Sequence, residues 1–138
     1  MHRYTNLAFS ISHQALSFGE AGAFYFRIME KTEAKIQSEC VDWFRQVHTD
    51  KVLFAVPNEG NRINGAIMVA MGLTSGVADM IFMQPKTGQL IGIETKTPTG
   101  VQSPKQKVWE KKCLANGGQY YIIRSLSEFQ NLIEKLLL

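Results

Sequence analysis

The stretch ADMIFMQPKTGQLIGIETKTP, Ala78 to Pro98, decides the fold. Two apolar runs flank Pro85-Lys86-Thr87-Gly88, and that proline and glycine are turn chemistry, so the stretch reads as two strands joined by a hairpin. With Pro85 to Gly88 as a four-residue loop without a bulge, Gln84 pairs with Gln89, Met83 falls opposite Leu90, and Asp79 falls opposite Glu94. Directly opposed residues share a face, with Cβ atoms roughly 4.5–5.5 Å apart. Side chains alternate along a strand, so Lys96 emerges beside Glu94 while Thr95 points the other way. Two carboxylates and an ammonium thereby converge on one point. A three-residue loop would slip the pairing by one and send Asp79 and Glu94 to opposite faces.

The same register sets Met80 and Phe82 with Ile91 and Ile93 on one face, and Ile81 and Met83 with Leu90 on the other. Both faces are apolar, which predicts helices on both. Upstream, Ile36, Cys40, Trp43, Phe44 and Val47 recur at helical spacing over 32–47, with Thr32 available as N-cap. KVLFAV, Lys51 to Val56, is a β-branched and aromatic strand that stops at Pro57. Ile63 to Met71 reads as a short helix ending at Gly72. Downstream, Ser103, Pro104 and Gln106 open a helix through Trp109 and Cys113 that closes at Gly117-Gly118. QYYIIR is a further strand. SLSEFQNLIEKLLL is an amphipathic helix with Phe129, Leu132, Ile133 and Leu136 inward and Ser125 or Ser127 as cap. The predicted order is helix, strand, short helix, strand, strand, helix, strand, helix. That is an α/β domain with a mixed sheet.

The chain has 138 residues, 45% of them hydrophobic and 20% charged, close to ordinary globular usage for one domain. A formal charge of +3 permits a polyanionic partner without requiring one. Cys40 and Cys113 belong to no CxxC or Cys/His cluster and read as reduced core residues of a cytosolic protein. His2, His13 and His48 lack metal-ligand spacing, which argues against zinc. No stretch is long and apolar enough to span a bilayer. Neither GxGxxG nor a Walker lysine is present. Residues 1–28 follow neither periodicity for long and match a signal peptide poorly, so they read as an appendage to a domain over 29–138.

Opposed carboxylates repel, and they persist in a partly buried setting when protonated, solvated or neutralised by a cation. Hard divalent ions take oxygen ligands, commonly one or two carboxylates plus waters and phosphate oxygens. Asp79 and Glu94, with the Thr95 carbonyl, offer that set to Mg²⁺ or Mn²⁺. Lys96 beside such an ion would lower the pKa of an attacking water or offset charge on a phosphoryl group, which suits phosphodiester hydrolysis. At about 100° per residue, Glu33 lies within the arc of Ile36, Cys40 and Phe44 and faces inward, either as a third acid of the site or as a first-turn acid favoured by the helix dipole. Gln106 completes an S-x-x-Q capping box with Ser103, or serves the site through its amide. Arg62, Lys105 and Lys107 are solvated surface charges or phosphate contacts.

With GVAD (Gly76 to Asp79), IETK (Ile93 to Lys96) and SPKQ (Ser103 to Gln106) in view, the sequence resembles the VRR-NUC family of the PD-(D/E)xK nuclease superfamily. The family pattern is close to G-x-P-D, then E-x-K, then S-P-x-Q, and the resemblance runs from about Glu33 to the C-terminus. It implies a restriction-endonuclease-like α/β core, a mixed β-sheet flanked by α-helices. It also implies a divalent-metal DNA endonuclease, with stand-alone phage and bacterial members that look like junction resolvases and act as dimers. By position, Asp79 and Glu94 would bind metal, Lys96 would assist the water, Glu33 would be the helix acid and Gln106 would support the site. The expected substrate is branched DNA, cut by a homodimer in DNA repair inside a bacterial or phage-infected cell. A nuclease-like module that binds DNA or protein without cutting is the alternative. One position departs from the pattern: Ala78 stands where the family has proline, which leaves the entry angle of Asp79 open.

Overall fold

A computed structural model describes residues 32–57 and 65–138. Arg62 and the expected 1–28 appendage lie outside the described residues. Helix α1 spans Glu33–Val47, and its N-cap Thr32 accepts the Lys35 N–H through its hydroxyl, as the sequence predicts. Strand β1 is Val52–Ala55 and α2 is Gly65–Ala70. The hairpin strands are β2, Met80–Met83, and β3, Leu90–Thr95. Helix α3 covers Pro104–Ala115, β4 Gln119–Ile123 and α4 Leu126–Leu137. The element order is the predicted one, and Ser125 rather than Ser127 caps α4.

The four strands form one sheet in the order β1-β2-β3-β4, antiparallel through β3 and parallel between β3 and β4. The hairpin holds the four-residue loop: the Gln84 N–H donates to Gln89 O at 3.0 Å, and Met83 pairs with Leu90 and Met80 with Ile93. One further step outward sets Asp79 across from Glu94. Lys86 and Gly88 take left-handed backbone conformations in the turn (φ 69° and 68°), which lets four residues reverse the chain without a bulge.

Two helices cover one face. Ile36, Cys40 and Phe44 of α1 and Phe129, Leu132, Ile133 and Leu136 of α4 close over Met80, Phe82, Ile91 and Ile93. Phe44 meets the Phe82 ring edge-on, with centroids 5.9 Å apart. Each such fully buried aromatic contributes roughly 1.5–3 kcal/mol by area, with a further 0.5–1.5 from ring geometry.

The other face carries α3, and its anchor is Trp109. A Cβ on Gly92 would lie 2.9 Å from the Trp109 ring, so only glycine at the centre of β3 lets that ring settle on the sheet. Trp109 also leans on Tyr120 of β4 with centroids 5.8 Å apart. Helices thus lie over both faces as expected, and among the described residues the cover of this one is partial. Val52, Phe54, Met83 and Leu90 share it and are each 44–50% exposed, because α3 sits over the β3–β4 half of the sheet. Cys40 is a core residue as expected, but Cys113 is only half-buried at the end of α3. No helix among the described residues is long and apolar enough to cross a membrane.

Candidate active site

The site assembles where β2 begins and β3 ends. Backbone contacts fix Asp79: its carbonyl accepts the Val56 N–H at 2.9 Å, and its Oδ2 accepts the Thr95 N–H, also at 2.9 Å. These two bonds set the entry angle of Asp79 with Ala78 before it. Ala78 itself is fully buried, against the small residue Gly92. N–H and C=O of a strand residue point to the same side, so the Thr95 carbonyl is directed toward Asp79 as well. The Thr95 side chain, as predicted, faces away.

Glu94 is fully buried, and three side chains grip it. Lys96 Nζ lies 3.1 Å from Oε1, Gln106 Nε2 donates a short hydrogen bond to the same oxygen, and the Tyr120 hydroxyl stands 3.4 Å from Oε2. Burial, and then the neighbouring Asp79 carboxylate, push the Glu94 carboxyl from 4.5 up to about 7, against the pull of Lys96 and Tyr120. Oε1 therefore carries two donors, and Oε2 is the oxygen of Glu94 nearer to being free.

Lys96 is buried too, its backbone N–H tied to Ile123 O at 2.9 Å. Burial disfavours its charge, but the hydrogen bond and field of Glu94, aided by Glu33 and Asp79, outweigh it and hold the ammonium above its ordinary pKa. Glu33, at the first turn of α1, reaches Lys96 Nζ with its Oε1 at 3.5 Å. Glu33 thus touches the site through the lysine, with its own side chain 45% exposed.

Gln106 plays both of the roles its position allows. Its backbone N–H donates to Ser103 Oγ at 3.2 Å and its side-chain Oε1 accepts the Ser103 N–H at 2.7 Å, which completes the capping box, while Nε2 turns to Glu94. Lys105 and Lys107 flank it on α3 and are exposed.

Gly76 supplies the packing that brings α3 to this place. It has φ +81°, and a Cβ there would lie 2.4 Å from the Lys105 carbonyl carbon and oxygen. The backbone before Asp79 and the first turn of α3 touch directly, which is the physical need behind a glycine three residues before the acid. The structure brings together Glu33, Asp79, Glu94, Thr95, Lys96 and Gln106. Tyr120 and Gln102 join them without having been singled out from the sequence. Gln102 Nε2 lies 3.2 Å from the Tyr120 hydroxyl and 2.8 Å from Glu110 Oε2. Among the described residues no three His, Cys, Asp or Glu side chains cluster as metal ligands. The set on offer to a cation is two carboxylates and a main-chain carbonyl, which fits a hard divalent ion that keeps waters and takes substrate oxygens.

No protein-family model matches the chain, and no curated protein does. Among solved structures, one described as a "VRR_NUC domain protein" superposes with a TM-score of 0.63 at 18% identity, covering 76% of this chain and 89% of its own. A second, described as a "VRR_NUC domain", gives 0.53 at 18% identity, covering 75% of this chain and 96% of its own. The four-stranded mixed sheet flanked by helices, with GVAD, IETK and SPKQ meeting at one end of its two central strands, shares the restriction-endonuclease-like α/β fold of these VRR-NUC domains.

Proposed function

We propose that this protein is a divalent-metal-dependent DNA endonuclease that hydrolyses phosphodiester bonds in branched DNA such as four-way junctions. The observation that carries the reading is the meeting of Asp79, Glu94 and Lys96 at one strand end, with Glu94 and Lys96 buried and paired. A buried carboxyl facing a second carboxylate is a costly arrangement, and a cation between them relieves it. Mg²⁺ or Mn²⁺ held by Asp79 Oδ1, Glu94 Oε2 and the Thr95 carbonyl would supply a water of lowered pKa and a Lewis acid for the scissile phosphate.

The chain's own groups do the rest. Lys96, kept protonated by Glu94 and Glu33, is a donor and a positive charge. It is suited to orienting the attacking water and offsetting charge on the phosphoryl oxygens, rather than to accepting a proton. Gln106 fixes the carboxylate of Glu94. Lys105 and Lys107 on the exposed side of α3 are suited to backbone phosphates of the DNA on either side of the cut. Symmetric cutting of a junction needs two sites, which a homodimer supplies. The half-exposed apolar side chains of Val52, Phe54, Met83 and Leu90 offer surface for such pairing.

The test is cleavage of end-labelled four-way junction, flap and linear duplex with Mg²⁺, Mn²⁺ or EDTA, comparing the wild type with Lys96→Ala. Metal-dependent cutting of the junction that Lys96→Ala abolishes is expected. Junction binding with no cutting under either metal would instead make this a nuclease-like binding module. Sedimentation as a monomer at micromolar concentration with junction cleavage intact would refute the homodimer.

A further inference from the structure

Tyr120 and Gln102 form a hydrogen-bond chain that ends on Glu94. Tyr120 stands across from Gly92 in the parallel β3–β4 pairing, one place before the partner of Glu94 on the same face. The Trp109 ring fills the space over Gly92, and Tyr120 beside it brings its hydroxyl to 3.4 Å from Glu94 Oε2. Trp109 packs against the ring and leaves it 9% exposed, fixing its position.

The direction of the phenolic proton follows from its neighbours. Gln102 Nε2 carries two hydrogens; one is directed to Glu110 Oε2 at 2.8 Å and the other to the Tyr120 oxygen at 3.2 Å. A phenol oxygen that accepts from Gln102 has its single hydrogen left for Glu94 Oε2, 3.4 Å away. That contact is longer than an ordinary O–H···O bond. Lys96 and Gln106 hold Oε1, and Tyr120 bears on the other oxygen, Oε2.

We propose that Tyr120, directed by Gln102, is a positioning residue that holds Glu94 Oε2 in the orientation a divalent cation needs. This rests on the reading of Glu94 as a metal ligand. Hydrogen-bonded partners of metal ligands are commonly worth 10–100-fold in metal affinity. Tyr120→Phe removes the hydroxyl and keeps the ring against Trp109.

The experiment is calorimetric titration of the full chain with Mn²⁺, beside cleavage kinetics at varied Mn²⁺. Tyr120→Phe is expected to bind Mn²⁺ about 10-fold more weakly, with a urea midpoint lowered by no more than the lost hydrogen bonds explain and with kcat recovered at saturating metal. Wild-type Mn²⁺ affinity in Tyr120→Phe would overturn the positioning role and leave the nuclease reading standing. A wild type that takes up no Mn²⁺ would overturn both. Should Tyr120→Phe fold poorly, Gln102→Met decides: it frees the phenolic proton to turn away and is expected to weaken Mn²⁺ binding severalfold, and unchanged affinity would refute the proposal.

Discussion

Replacing Gly76 by alanine should do more harm than its size suggests, and the structure separates the two reasons. The first is backbone conformation. With φ at +81°, an L-residue at this position meets the left-handed penalty, roughly 1–2 kcal/mol. The second is contact. The new methyl would sit 2.4 Å from the Lys105 carbonyl carbon and oxygen and 2.8 Å from the Gln106 nitrogen, all of them main-chain atoms of a capped helix that cannot rotate aside. Forcing a methyl into such a space typically costs about 1–3 kcal/mol. The sum, about 2–5 kcal/mol, is a large part of the stability of a small domain. Gly117 is the control, since it has φ +84° with nothing within 4 Å of its added Cβ. Gly117→Ala should therefore cost only the conformational part. Urea unfolding of the two variants and the wild type at constant m-value measures the difference. If Gly76→Ala costs no more than Gly117→Ala, the direct contact between the GVAD backbone and α3 is refuted. The contact also predicts a functional consequence. Relieving it needs a retreat of α3 by about 1 Å, from 2.4 Å to ordinary van der Waals distance. A retreat of that size carries Gln106 away from Glu94.

Three further outcomes are expected. In EDTA, Glu94 has a carboxyl pKa of about 7 in the fold against 4.5 unfolded, so the folded state holds the extra proton between those values. Its stabilisation is full below pH 4.5 and fades as pH rises through 7, by up to about 3 kcal/mol, and Glu94→Gln should flatten that fall in urea midpoints measured from pH 5 to 8. Ser103→Ala removes the acceptor for the Gln106 N–H but keeps the Ser103 N–H that holds the Gln106 amide, so it reaches Glu94 only through a loosened first turn. A loss of about 1 kcal/mol in unfolding free energy is expected, with cleavage reduced less than by Gln106→Ala, which removes the amide itself. Lys105→Gln and Lys107→Gln should each lower the salt dependence of junction binding by roughly one unit of slope without changing preference among DNA structures, which binding titrations across salt concentrations would read.

Much of this arrangement was legible because short-range chemistry wrote it. Pro85 and Gly88 set the loop length, the loop length set the register, and the register placed Asp79 across from Glu94. Thr32 and the Ser103–Gln106 box marked two helix starts in the same local way. The parts that escaped are long-range. Tyr120 meets Glu94 through a parallel pairing joined by a whole helix, and no turn fixes a parallel register from sequence. QYYIIR announces a strand, but neither which of its tyrosines faces the site nor that Gln102 would meet it. The exposed row of Val52, Phe54, Met83 and Leu90 escaped for a related reason. An apolar face predicts a cover, yet the reach of a twelve-residue helix over a four-stranded sheet is settled by where Trp109 finds Gly92.

Gln106 bears on how a site of this kind is kept in order. Its two readings, helix cap and active-site amide, look like alternatives only while the side chain is treated as one group. The amide has a carbonyl end and an amino end. The carbonyl end satisfies the Ser103 N–H, one of the donors a helix start leaves unpaired, and the amino end satisfies Glu94. Flipping the amide would place oxygen against carboxylate and amino group against N–H, breaking both bonds at once, so the cap fixes the orientation that Glu94 requires. The helix start and the buried carboxylate therefore share one side chain. A change that loosens the first turn of α3, whether at Gly76, Ser103 or Gln106 itself, is felt at Glu94 before it is felt in the core.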